Sequence, residues 1–179
     1  MDIKKAVSRL EKSPVFRNWK SSNKQAFLSS AFIMLENSDN PEWMIDYYNS
    51  KKDKITSFLV SKTIKKNPDS EIFKSGQDIK GVNLNEVKME FNKVLELGSD
   101  FCRKNFPNET TKKTIAVLQN LELGQVWNVT YITLAYKTIN LKISSSTGDI
   151  LKHGLISLYD FIPRNNSMDG NQQKPDENF

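Results

Sequence analysis

The chain is 179 residues long, 37% hydrophobic and 26% charged, with a formal net charge of +5. That length accommodates one medium domain or two small ones sharing a core, and no apolar run approaches the ~18 residues needed for a membrane-spanning helix. The basic residues are dispersed in pairs (Lys4-Lys5, Lys51-Lys52, Lys65-Lys66, Arg103-Lys104, Lys112-Lys113), mostly beside acids or turn residues, which reads as solvated surface rather than a continuous anion-binding stripe.

From Asp2 to Lys12, Ile3, Ala6, Val7 and Leu10 recur at helical spacing and predict an amphipathic helix. Ser13-Pro14 ends it, because a residue preceding proline is driven out of the α region. Val15 to Asn23 carries Phe16 and Trp19 without a clear period and reads as irregular chain or a short helical turn. Ala26 to Leu35 is apolar on both faces and reads as a buried strand, with a helix as the rival reading. After the turn signal Asn37-Ser38-Asp39-Asn40-Pro41, Trp43 to Tyr48 alternates, with Trp43, Ile45 and Tyr47 on one face. Asn49 to Asp53 turns and Ile55 to Val60 supplies a third strand.

A polar linker runs from about Lys62 to Gly81, broken by Asn67-Pro68-Asp69 and Gly76. The longest helix is expected from Asn85 to Asn105, with Val87, Phe91, Val94, Leu95, Phe101 and Cys102 on one face and Pro107 closing it. Strands follow at Thr114–Leu121, Val126–Leu134 and Thr138–Ser144. Thr147-Gly148-Asp149 then forms a tight hairpin turn, with glycine where φ must be positive. Ile150 to Lys152 returns, and Leu155 to Ile162 is a last apolar segment. From Pro163 the composition offers nothing to bury, and a disordered tail is expected. The organisation is therefore α+β: a helix-plus-three-strand unit (1–62), a polar linker (63–83), a second helix-plus-sheet unit (84–162) and a tail (163–179).

The second unit repeats the order of the first. An offset of 84 positions aligns Trp43 with Trp127, Ile45 with Val129, Tyr47 with Tyr131 and Ile55 with Ile139. The same offset aligns Ile3, Val7 and Leu10 with Val87, Phe91 and Val94. Tryptophan occurs only three times in the chain, so the Trp-x-aliphatic-x-Tyr coincidence points to an internal duplication.

The run Trp127-Asn128-Val129-Thr130-Tyr131, followed by Asn140-Leu141-Lys142-Ile143 and Thr147-Gly148-Asp149-Ile150-Leu151, resembles the PepSY domain pattern. The resemblance spans about Asn85 to Leu151. The first half follows it through Trp43-Met44-Ile45-Asp46-Tyr47, with Thr63-Ile64-Lys65 where Thr-Gly-Asp would stand. Cystatin-like folds share the same outline. What the resemblance implies is a helix laid on an antiparallel sheet. PepSY-like domains often sit in secreted peptidase propeptides or cell-envelope proteins, whereas this sequence shows neither a secretory signal nor a peptidase domain.

Catalytic chemistry has little to stand on. Cys102 is the sole cysteine and His153 the sole histidine. Cys102 falls on the apolar face of the long helix, where a free thiol usually behaves as a small hydrophobe. One Cys and one His do not make a zinc site, and carboxylate pairs such as Glu36/Asp39 or Glu86/Glu90 read as turn and helix-surface residues. There is no glycine-rich phosphate loop. No catalytic, metal or cofactor site is expected, and a single thiol that cannot form an internal disulfide fits a cytoplasmic protein. The binding candidates are Trp43, Tyr47, Trp127 and Tyr131, which form either a stacking platform or, under a covering helix, core. Two functions remain: a non-enzymatic binding or regulatory module for a protein or peptide, or a basic nucleic-acid-associated protein.

Overall fold

The computed structural model describes residues 2–36, 42–71 and 78–157. The Asn37–Pro41 turn signal, Gly76 and the expected tail from Pro163 lie outside these residues. Three helices and nine strands follow in order: α1 (Ile3–Glu11), α2 (Pro14–Ser21), β1 (Phe27–Leu35), β2 (Trp43–Asn49), β3 (Lys54–Val60), β4 (Ile64–Lys66), β5 (Ser70–Glu71), α3 (Phe91–Asn105), β6 (Thr111–Leu121), β7 (Gly124–Thr133), β8 (Lys137–Ser144) and β9 (Ile150–Ser157). The fold is α+β, and every strand pairing is antiparallel.

Local chemistry explains most boundaries. Asp2 caps α1 by accepting from the amides of Lys4 and Lys5. Ser13-Pro14 closes α1 and also opens α2: the Ser13 hydroxyl accepts from the Phe16 amide, and Pro14 takes a first-turn position that needs no N–H. Val15 to Asn23 is thus largely helix rather than irregular chain. Its two apolar residues, Phe16 and Trp19, are too few to display a period yet suffice to bury one face.

Ala26 to Leu35 forms a strand and not a helix, because it pairs on both sides, with β2 and with β6. The polar linker contains β4 and β5, both paired to β3. The long helix starts at Phe91, six residues later than its periodicity predicts. Before it, the amides of Lys88 and Met89 both donate to the Ser145 carbonyl at 2.9 Å, and the Asn85 amide donates to the Asn83 side chain. Those bonds hold Val87 in the core from a turn. Ile150 to Ser157 is one continuous strand, β9, with an irregularity opposite Lys142 and Ile143, and the rest of the predicted last segment, 158–162, lies outside the described residues.

The strands make a single sheet in the order β4-β3-β2-β1-β6-β7-β8-β9, with β5 also on β3. The two halves meet at β1 and β6, the first strand of each, so the sheet is laid out symmetrically about that seam. Trp43 lies between Ile33 and Val60, and Trp127 between Leu118 and Ile143. Ile45 lies between Ala31 and Phe58, and Val129 between Ala116 and Leu141. The offset is 84 only in the second strand of each half: it is 85 for Ile33/Leu118 and 83 for Val60/Ile143. The gap-free alignment therefore fails for Ile55 and Ile139, since the residue opposite Tyr47 is Thr56. It fails as well for Val87, which precedes the helix.

All three helices pack on one face. Phe16 and Trp19 of α2 meet Tyr47 and Phe58, Glu11 of α1 accepts from the Tyr47 hydroxyl at 3.0 Å, and Phe91 of α3 meets Trp43. Beneath the helices lies one contiguous core running across the seam.

Candidate functional site

The helices leave a cleft over the seam. α1 and α3 both begin there, and the space between their first turns encloses about 530 Å³. Its floor and walls are Ile33 and Leu35 of β1, Val87 and Met89 from the approach to α3, and Phe91 and Leu95 of α3. Lys4, Lys5 and Lys88 stand at the rim with Asp2 and Glu90. Both helices begin at the cleft and so turn the positive end of their peptide dipoles toward it, with an acidic residue, Asp2 or Glu90, at each N-cap. Asp2 is spent on capping α1, whereas Glu90 makes no side-chain cap and leaves the first amides of α3 without that acceptor. An apolar trough with a lysine rim and two helix starts suits an apolar segment carrying a carboxylate.

The four aromatic candidates are buried under the helices. Trp43 and Trp127 are fully enclosed, and Tyr47 and Tyr131 nearly so. The two indoles approach to 6.1 Å, and Phe91 packs on both, 5.2 Å from Trp43 and 5.3 Å from Trp127. They meet core side chains rather than solvent, and Phe91, which packs on both indoles, forms part of the cleft wall. Burial and the Glu11 carboxylate push the Tyr47 hydroxyl's pKa far up, and burial does the same to Tyr131.

A second cavity, of about 370 Å³, lies along the C-terminal half of α3 and includes Cys102, Tyr131 and Glu109. The Tyr131 hydroxyl and Glu109 Oε2 are enclosed without a hydrogen-bond partner among the described residues. Burial pushes the Cys102 thiol up to about 11, so at neutral pH it is a thiol and not a nucleophile. His153 packs on Phe101 at 5.0 Å, while Cys102 shares its cavity with Tyr131. Thiol and imidazole thus have different neighbours. Among the described residues no three His, Cys, Asp or Glu side chains gather as a metal site.

Lys88, Leu35 and Leu95 gain their role from the seam, which brings together segments more than fifty residues apart. The one local signal was the pair of acid-free first turns, each beside lysines.

No protein-family model and no curated protein sequence matches the chain. Among solved structures it is similar to a candidate lipoprotein from Clostridium difficile 630, with a TM-score of 0.51 and 13% identity, covering 79% of this chain and 90% of that one. At that identity the likeness concerns the fold alone.

Proposed function

We propose that the chain is a non-enzymatic binding module that holds a peptide or protein segment in the cleft between α1 and α3. The observation carrying this reading is the apolar trough of about 530 Å³ rimmed by Lys4, Lys5 and Lys88 at two helix starts. The segment it suits is apolar with a carboxylate, from Asp, Glu or a chain terminus. In the same reading the two halves are duplicated PepSY-like or cystatin-like units. The matched pairs Ile33–Trp43–Val60 and Leu118–Trp127–Ile143 support this, and the cleft is what their junction creates. A cytoplasmic location belongs to the proposal on the strength of the single thiol. The lipoprotein description of the structural neighbour favours the cell envelope instead, and fractionation of the producing cell decides between them.

The test is selection of ten-residue peptides from a displayed random library, with Leu95→Arg and Lys88→Glu as cleft variants. The reading expects apolar–acidic peptides to be enriched on the native chain and to lose about tenfold or more in affinity on either variant. Failure to enrich any motif, or binding by either variant as tight as by the native chain, contradicts it. Binding of single-stranded DNA that weakens steeply with salt would support the nucleic-acid alternative.

A further inference from the structure

An antiparallel sheet covered on one side normally turns polar residues to the other. This sheet does so on β8 and on part of β7, where the positions facing away from the helices include Asn128, Thr130, Thr138 and Asn140. It does not do so at its centre. One cross-strand row runs Lys65–Leu59–Met44–Phe32–Val117–Asn128–Lys142–Lys152 through eight strands in register. Leu59, Met44, Phe32 and Val117 in this row are apolar and half-buried, Met34 beside them is 40% exposed, and lysines stand at both ends.

Two features of this face are unfavourable in the isolated chain. Lys142 and Lys152 are directly opposite each other with no acid partner among the described residues, and like charges so placed repel. Next to the apolar centre, Asp46 is 9% exposed, accepts from the Ser30 hydroxyl at 2.7 Å, and keeps Oδ1 enclosed without a hydrogen-bond partner among the described residues.

We propose that this uncovered face is a second docking surface, separate from the cleft, for a protein partner whose apolar patch is bounded by carboxylates. The apolar centre supplies contact area, and the flanking lysines select acids. Charge disfavours a second copy as the occupant: laid face to face about a twofold axis, the row sets lysines against lysines. A lipid surface is disfavoured because it would draw the Asp46 carboxylate toward hydrocarbon without supplying a donor.

The test places p-benzoylphenylalanine at Met34 of the full chain, photo-crosslinks it in the producing cell and maps the product. The expected result is a crosslink to another protein, through a peptide combining apolar residues with Asp or Glu. The yield should fall about tenfold or more when Lys142→Glu and Lys152→Glu are combined, with an unchanged melting temperature showing that the fold is intact. Leu95→Arg in the cleft should leave the crosslink in place, which separates this surface from the first. Crosslinks to lipid, to a second copy or to the chain's own residues beyond Ser157 would overturn the proposal. So would a crosslink indifferent to the charge reversal, or none at all.

Discussion

At the residue scale, two enclosed groups have consequences that can be measured. Cys102 lies on the buried face of α3 with its pKa raised to about 11, so little thiolate exists at neutral pH. Native protein should react slowly with a thiol reagent and urea-unfolded protein quickly; rapid labelling of the folded chain would contradict the packing of α3. Asp46 has its pKa raised by burial, against the lowering effect of Ser57 and Ser30. A carboxyl whose pKa is raised on folding binds its proton more tightly in the native state. Its penalty is absent below the unfolded value of about 3.9, grows as pH rises from there to the raised folded value, and is constant above it. Asp46→Asn should therefore gain in melting temperature over the native chain as pH rises from acid to neutral. A difference that stays flat, or shrinks, would mean that the carboxylate is not strained in place.

At the element scale, what the sequence disclosed depended on whether the determinant was local. β2, β3 and β7 alternate or carry β-branched and aromatic residues, and they lie where the pattern puts them. The Thr147-Gly148-Asp149 turn is likewise local, and Gly148 takes the expected positive φ of 84°. The start of α3 is not local: Val87 and Phe91 keep a helical spacing, but tertiary bonds from Lys88 and Met89 to Ser145 hold the first of them outside the helix. Nor was the cleft readable, since its walls belong to both halves and only the β1–β6 pairing sets them side by side.

The seat of α3 offers its own test. A Cβ built on Gly98 would lie 2.1 Å from the Tyr131 hydroxyl and 3.1 Å from its ring carbon, so the helix rests on β7 at a glycine. Gly98→Ala should cost about 1–3 kcal/mol by overpacking in urea denaturation. Tyr131→Phe alone removes a hydroxyl that has no partner among the described residues and should be nearly neutral. Combined with Gly98→Ala it should restore much of the loss. Additive losses in the double variant would show that α3 does not bear on that hydroxyl.

At the scale of the whole molecule, the sheet is continuous and the seam between β1 and β6 lies at its centre. Six consecutive register pairs join the halves, from Ser30 with Gln119 to Leu35 with Thr114, and Trp43, Phe91 and Trp127 pack together across the join. The cleft and the uncovered face both exist only while that seam is closed, so both proposed surfaces require the halves to behave as one cooperative body. Native-state amide hydrogen exchange tests this most directly. If the account is right, the amides of Ala31, Ile33 and Ala116 exchange as slowly as those of Ile45 and Val129, with one shared dependence on denaturant that matches global unfolding. Early exchange along β1 and β6, with the two halves protected to different extents, would show that the seam opens on its own and would contradict the account.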